Sequence, residues 1–260
     1  MIPVFFKLHG RVVGALLMRE MATRFGREGL GFAWLVAEPL VFCLGVIFLW
    51  ALTKPTFNSE HGIQLAPFVM SGYMCLILIR HLISLLTPAI QANMGLLYHR
   101  LVTPMHILIA RMLLEIGGAT IAFVVLYLAL LAIGQVGPPH NILLLYAGWG
   151  TVAFSGAGFA LIMTGLVMRF EAMERVVGLI SYLMIPVSGA FFMVSWLPHS
   201  FQKIVMLVPF VHGTEAIRAA IFGEFVETHY SFSYAIAVGA ILNVVGLLLI
   251  FSSLDRIDVE

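Results

Sequence analysis

The chain has 260 residues, of which 61% are hydrophobic and only 10% charged, with a mean hydropathy of +1.04 and a formal net charge of +1. A water-soluble domain averages roughly a quarter charged residues, so this composition excludes a soluble enzyme, a disulfide-stapled secreted scaffold and a disordered chain. With no basic tract, nothing favours a nucleic-acid partner, and the chain reads as a polytopic membrane protein.

Residues 1–32 alternate basic and apolar side chains, with Lys7, Arg11, Arg19, Arg24 and Arg27 among them. They read as an amphipathic helix on the cytoplasmic membrane surface. They lack the compact apolar core and cleavage site of a removed leader. Residues 33–260 read as one transmembrane domain. Six stretches reach the roughly 20 apolar residues that a bilayer crossing needs, near 33–53, 66–90, 105–134, 142–168, 174–195 and 231–252. Period-two alternation is absent, so these are helices and the fold class is an all-α, six-span membrane protein.

Three connections carry information. Residues 91–104 form a short cytoplasmic element ending at Pro104, and the outer loop at 135–141 is tiny. Residues 196–230 are too long for a turn and too polar to span. Pro198 and Pro209 divide them into two short amphipathic stretches, which are expected to dip into the outer leaflet and return. Orientation follows from Lys and Arg. With both termini cytoplasmic, Lys7, Arg11, Arg19, Arg24, Arg27, Arg100, Arg169, Arg175 and Arg256 lie inside, against Lys54, Lys203 and Arg218 outside. No internal repeat is visible, which argues against the inverted halves common in secondary transporters.

Catalytic signatures are sparse. There is no G-x-x-x-x-G-K-[ST], no H-E-x-x-H and no G-x-S-x-G, and the nine histidines show no metal-ligand spacing. Ser200 and Lys203 make a lone S-x-x-K of the kind a membrane peptidase uses. Gly156 and Gly158 read as close helix packing, and Cys43 and Cys75 as small buried hydrophobes.

Charge within the spans is informative, because each such group costs about 2.5–3.5 kcal/mol near a helix centre on insertion scales. Glu38, Arg80, Arg111 and Glu115 are the four. Arg80 and Glu115 fall at similar depth, and Arg111 and Glu115 are i, i+4 on one face. They read either as an ion cluster stapling the second and third spans or as a basic lining for an acidic substrate. Trp50, Tyr73, Trp149 and Trp196 fall near span ends, where an interfacial belt is expected, although aromatic faces also carry sugar rings.

The stretch Arg19-Glu-Met-Ala-Thr-Arg24-Phe-Gly-Arg27-Glu-Gly-Leu-Gly31-Phe-Ala-Trp34-Leu-Val-Ala-Glu38-Pro39 resembles the leading segment of ABC-2 type exporter permeases. A second block runs Ile90-Gln-Ala-Asn93-Met-Gly95-Leu-Leu, then Arg100, Pro104 and Ile109-Ala-Arg111-Met-Leu-Leu-Glu115, and is similar to the capsular-polysaccharide branch in Gram-negative bacteria. A third, Pro209-Phe-Val-His212-Gly-Thr-Glu215-Ala-Ile-Arg218, resembles that family's Pro-Leu-Val-His-x-x-Glu-x-x-Arg turn, with Val208 where the family has Asn.

The resemblance implies a multi-pass inner-membrane subunit without catalysis or cofactor of its own. It implies a homodimer docked on two separate ATP-binding subunits that hold ATP and Mg. A periplasmic adaptor or co-polymerase and an outer-membrane export protein would complete the path of a lipid-linked acidic polysaccharide. Sister branches exporting O-antigen or teichoic acid, a small-molecule ABC-2 permease, and remotely a membrane-embedded hydrolase are the alternatives. On this reading Glu20, Arg24, Arg27, Asn93 and Arg100 border the ATPase. Arg100, Arg111 and Arg80 form a basic ladder steadied by Glu115, and Tyr73, Phe191, Phe192 and Trp196 meet sugar rings above it. Pro209, His212, Glu215 and Arg218 build the re-entrant exit, with bonds along one face of a short helix.

Overall fold

The computed structural model describes residues 2–25, 30–97, 101–170 and 172–257; within these, the side chains of 2–6, 24–25, 30–32, 59, 224 and 255–257 are not described. Among the described residues all regular structure is helical. The order is α1 (Ile2–Phe25), α2 (Leu30–Thr53), α3 (Phe57–His61), α4 (Leu65–Leu86), α5 (Met94–Leu97), α6 (Pro104–Ala132), α7 (Ile142–Arg169), α8 (Ala172–Val187), α9 (His199–Val205), α10 (Pro209–Phe222) and α11 (Phe232–Ile257).

Five described helices, α2, α4, α6, α7 and α11, are long and apolar enough to cross a bilayer, and the bent pair α9–α10 raises the number to six if it counts as one span. The expected span at 174–195 is realised only in part. Its helix α8 has 16 residues, about 24 Å at 1.5 Å per residue. Pro186 lies in its last turn and can donate no helical bond, and Gly189 takes φ +74° just beyond it, a conformation that ends helices. The chain then runs irregularly to a 3-10 turn at Val194–Trp196. Residues 196–230 do contain two short helices, bent by 108° across the break before Pro209.

Glycine decides where the helices meet. At Gly158 a Cβ would stand 2.7 Å from Asn243 of α11, and at Gly165 it would stand 2.6 Å from Leu249. Gly239 and Gly246 of α11 answer with equally close approaches to Phe154 and Leu161 of α7. Small residues at such spacing let two backbones touch, the main source of helix cohesion in lipid. Gly148 and Gly213 do the same where α10 crosses α7, and Gly156, the other half of the Gly-x-Gly, packs against Leu82 of α4. Helix α4 is the centre of the molecule, with Phe68, Val69, Met70, Leu78, Ile79, Leu82 and Leu86 wholly buried. Both cysteines are buried and unpaired. Trp149 does not sit in a belt; it is buried on Phe123, and its indole N–H donates to Thr120 at 2.9 Å, tying α7 to α6.

In contrast, α2 is buried over little of its length. Phe42, Phe48, Leu49 and Leu52 are exposed. Along α1 the exposed positions mix Lys7, Arg11 and Arg19 with Leu8 and Met18, while Leu16 and Glu20 turn inward.

Candidate functional site

At the α1 end, three segments distant in sequence are joined by one polar network. Arg111 of α6 donates from Nε to Glu20 Oε2 at 3.0 Å and from Nη1 to the Leu85 carbonyl at 2.6 Å. Asn93 donates to Glu20 Oε1 at 3.3 Å and to the Ala89 carbonyl, and accepts from Arg19 Nη1 at 2.9 Å. The capping box of α6 closes beside it: Thr103 N–H donates to His106 Nδ1, and the other nitrogen of His106 meets His9 of α1.

Glu20 and Asn93, expected at a partner's surface, are thus buried to 5% and 4% exposure inside the protomer. Arg111, expected in the ladder, spends its charge on Glu20. Arg27 and Arg100 lie outside the described residues, as does the side chain of Arg24.

Above this network a cavity of about 440 Å³ with a mixed polar and apolar wall opens among α2, α4 and α8. Glu38, Tyr73, Arg80, His81, Ser181 and Tyr182 shape it. Arg80 lies six residues before the end of α4 and Tyr73 thirteen, so the cavity spans depths of about 9–20 Å from that end. The expected Arg80–Glu115 staple gives way to other partners. Arg80 donates from Nε to Ser181 Oγ at 3.3 Å, and its guanidinium lies 5.3 Å from the centre of the Tyr182 ring. Glu115, almost wholly buried, has His81 Nδ1 3.5 Å from Oε2. The second and third spans are still linked by ionisable groups, through His81 rather than Arg80.

Toward the α3 end, the Pro-x-x-His-x-x-Glu-x-x-Arg motif forms the first ten residues of α10, with Pro209 at the first helical position, where a missing N–H is harmless. Arg218 has 0% exposure. It donates to the carbonyls of Ala190 (2.8 Å) and Phe192, lies 3.5 Å from Glu215 Oε1, and faces the Phe68 ring at 4.4 Å. Gly72 leaves the room it needs, for a Cβ there would stand 2.7 Å from Arg218 Nη2 and still closer to the Ala190 carbonyl. Glu215 accepts from the N–H groups of Val194 (3.4 Å) and His229 (3.2 Å). His212 accepts at Nδ1 from Ser231 N–H, so its Nε2 carries the proton and donates to Met206 O at 2.9 Å.

Of His212, Glu215 and Arg218, the last two meet each other along the helix face, while His212 bonds outside the helix. The motif's main work is to satisfy backbone groups of the irregular segments on either side.

An aromatic series leads from the cavity to this end. Tyr73 lies 6.2 Å from Phe191, Phe191 5.5 Å from Trp50, Trp50 6.2 Å from Phe57, and Phe57 6.1 Å from Trp196, which stacks on His61 at 4.1 Å. Tyr73, Phe191 and Trp196 thus lie along one series, joined through Trp50 and Phe57. Phe192 contributes a carbonyl to Arg218. Ser200 and Lys203 are both exposed on α9, and among the described residues no hydrogen bond joins them. No group of three or more His, Cys, Asp or Glu converges among the described residues in a way that could hold a metal ion.

The sequence reading missed His81, Ser181 and Tyr182. His81 follows Arg80 directly, and an ionisable pair inside an apolar run was the available signal. Ser181 and Tyr182 carry no such mark; they are drawn in only because α8 packs on α4.

Residues 11–222 match the model of the ABC-2 type transporter family. The chain is 38% identical, over 91% of its length and 89% of the relative's, to the capsule polysaccharide export inner-membrane protein CtrC of Neisseria meningitidis serogroup A. It is 34% identical to the capsule polysaccharide export inner-membrane protein BexB of Haemophilus influenzae, over 94% and 91% of the two chains. The polysialic acid transport protein KpsM of Escherichia coli is 27% identical over 94% of each. With its long apolar helices, the chain is a multi-pass inner-membrane protein, and it belongs to the ABC-2 type transporter family.

Proposed function

We propose that this chain is the permease subunit of an ABC exporter that carries a lipid-linked acidic capsular polysaccharide across the bacterial inner membrane. The observation that carries this reading is the cavity: ionisable and hydroxyl groups gathered partway along the long apolar helix α4, beside α2, the least buried of the described long helices. Charged side chains facing lipid are costly, so such a wall belongs against water, in a lumen closed by a second copy. Relatives named for capsule polysaccharide export, matched over nine tenths of the chain, support a capsule polysaccharide as the cargo.

In this reading both termini are cytoplasmic and the α1 end receives two ATP-binding subunits, which hold ATP and Mg. Glu20, Asn93 and Arg111 position α1 on α6, and the exposed Lys7, Arg11 and Arg19 present it to the partner. A push on α1 then reaches α6 through Glu20–Arg111 and the cavity wall through Glu115–His81. The polymer leaves past the aromatic series toward a periplasmic adaptor and an outer-membrane export protein.

Deleting the gene and staining for polymer tests the proposal. Capsule retained inside the cell, and restored to the surface by the plasmid-borne gene, supports it. Normal surface capsule in the deletion strain refutes it.

A further inference from the structure

The cavity among α2, α4 and α8 has a chemistry more specific than a polar passage. Arg80 uses Nε on Ser181, and among the described residues no group accepts from its two Nη atoms. A half-buried guanidinium in that state keeps a two-pronged donor for an incoming anion. The fork matches a planar carboxylate, which takes two parallel hydrogen bonds. The rings of Tyr73 and Tyr182 also line the cavity, with Tyr182 already under the guanidinium. Such faces suit the C–H surface of a sugar ring. Ser84 and Ser181 supply hydroxyls, and Glu38 supplies an acceptor for sugar O–H groups.

Glu115 engages His81 at Nδ1 and leaves Nε2 as the ring's remaining nitrogen. Among the described residues the one side-chain hydrogen-bond partner of Arg80 is a neutral hydroxyl, so its positive charge is left for one anionic group carried on an otherwise neutral ring. Its volume, about 440 Å³, falls within the range of roughly 300–1,000 Å³ typical of small-ligand sites.

We infer that this cavity is a binding subsite for a single carboxylate-bearing sugar of the polymer, with Arg80 as the carboxylate clamp and His81, positioned by Glu115, as a second contact. The inference rests on the proposed function and narrows it, since it assigns recognition to the sugar carboxylate rather than to the lipid anchor or to a phosphate linkage.

The test uses the permease purified with its ATP-binding partner in nanodiscs and three probes of equal length: a hexuronic acid tetrasaccharide, its carboxyl-reduced counterpart, and a tetramer of neutral sugars linked by phosphodiesters. Binding is read by calorimetry. The wild-type complex is expected to prefer the uronic acid tetramer to both others by about tenfold or more, the scale of a hydrogen-bonded charge pair. Arg80→Gln abolishes that preference, Arg80→Lys retains part of it because one prong remains, and Glu115→Gln lowers it severalfold without lowering the yield of intact complex.

Equal binding of the three probes to the wild type, or unchanged preference in Arg80→Gln, overturns the inference. Surface capsule in the same strains separates the two claims. An Arg80→Gln strain that exports normally, where the deletion strain does not, refutes the subsite and leaves the exporter standing. A deletion strain with normal capsule refutes the exporter itself.

Discussion

Removal of Arg218 should be among the most damaging single changes in the chain. The guanidinium is fully buried and holds the carbonyls of Ala190 and Phe192 as well as the charge of Glu215. Arg218→Met keeps most of the aliphatic volume, so the loss is polar. Two carbonyls lose their donor at about 1–3 kcal/mol each if they stay dry, and Glu215 is left as a buried charge supported only by the N–H groups of Val194 and His229. These penalties overlap, because one relaxation of segment 188–196 relieves several, and breaking a buried pair typically costs about 3–5 kcal/mol in all.

That range is the expected destabilisation. Glu215→Gln, which keeps one acceptor, should cost about 1.5–3 kcal/mol. The double variant strands neither charge, so it should cost at least about 1 kcal/mol less than the sum of the two singles. Denaturant titration of the nanodisc-embedded protein measures all three, with Trp196 as a local reporter because its ring packs on Phe68 beneath the guanidinium. A loss under about 1 kcal/mol for Arg218→Met, or strict additivity in the double variant, would refute the view that this motif pins the broken segments.

Other consequences follow from single contacts. Gly213→Leu places a Cβ 2.5 Å from Val152 and 2.8 Å from the Gly148 carbonyl; it should cost at least about 1–3 kcal/mol by the same titration, whereas Gly150→Ala, with nothing within 4 Å, should be nearly neutral. Trp149→Phe removes the bond to Thr120 and should cost about 0.5–1.5 kcal/mol, with little further loss on adding Thr120→Val. Glu20→Gln should lower the yield of folded protein by leaving Arg111 unpaired at the α1 end, and the Glu20→Arg/Arg111→Glu exchange should recover part of it; no recovery would mean that the pair's orientation, not its charge, matters. Cysteines at Lys7, Arg11 and Arg19 should crosslink to the ATP-binding partner far more readily than cysteines at Glu20 and Asn93, which face inward.

Long apolar runs make most of the fold legible in the sequence. The helices α4, α6, α7 and α11 begin within a few residues of where hydropathy puts them, because each run is opened by a polar residue, Gln64, Thr103 with Pro104, Asn141 or Ser231. The broken end of α8 was not legible. Residues 188–195 are apolar enough to continue a span, and what stops them is Gly189 together with a donor, Arg218, 29 positions downstream. Likewise the four intramembrane charges were evident as a set, yet their pairing was not. Spacing along α4 and α6 could match Arg80 with Glu115 by depth, but rotation about the helix axes turns Arg80 toward Ser181 and gives Glu115 to His81 instead. Glu20 lies on a segment whose pattern suggests a surface helix, and only packing on α6 shows that it faces inward.

The most direct test is transport itself. Inverted vesicles containing this chain and the proposed ATP-binding partner should take up a radiolabelled lipid-linked acidic oligosaccharide when ATP is added, and should fail to do so with ADP or with Arg80→Gln in place. Uptake that proceeds equally without ATP, or ATP-driven uptake that ignores the oligosaccharide and follows only the lipid, would contradict a polysaccharide path through the cavity.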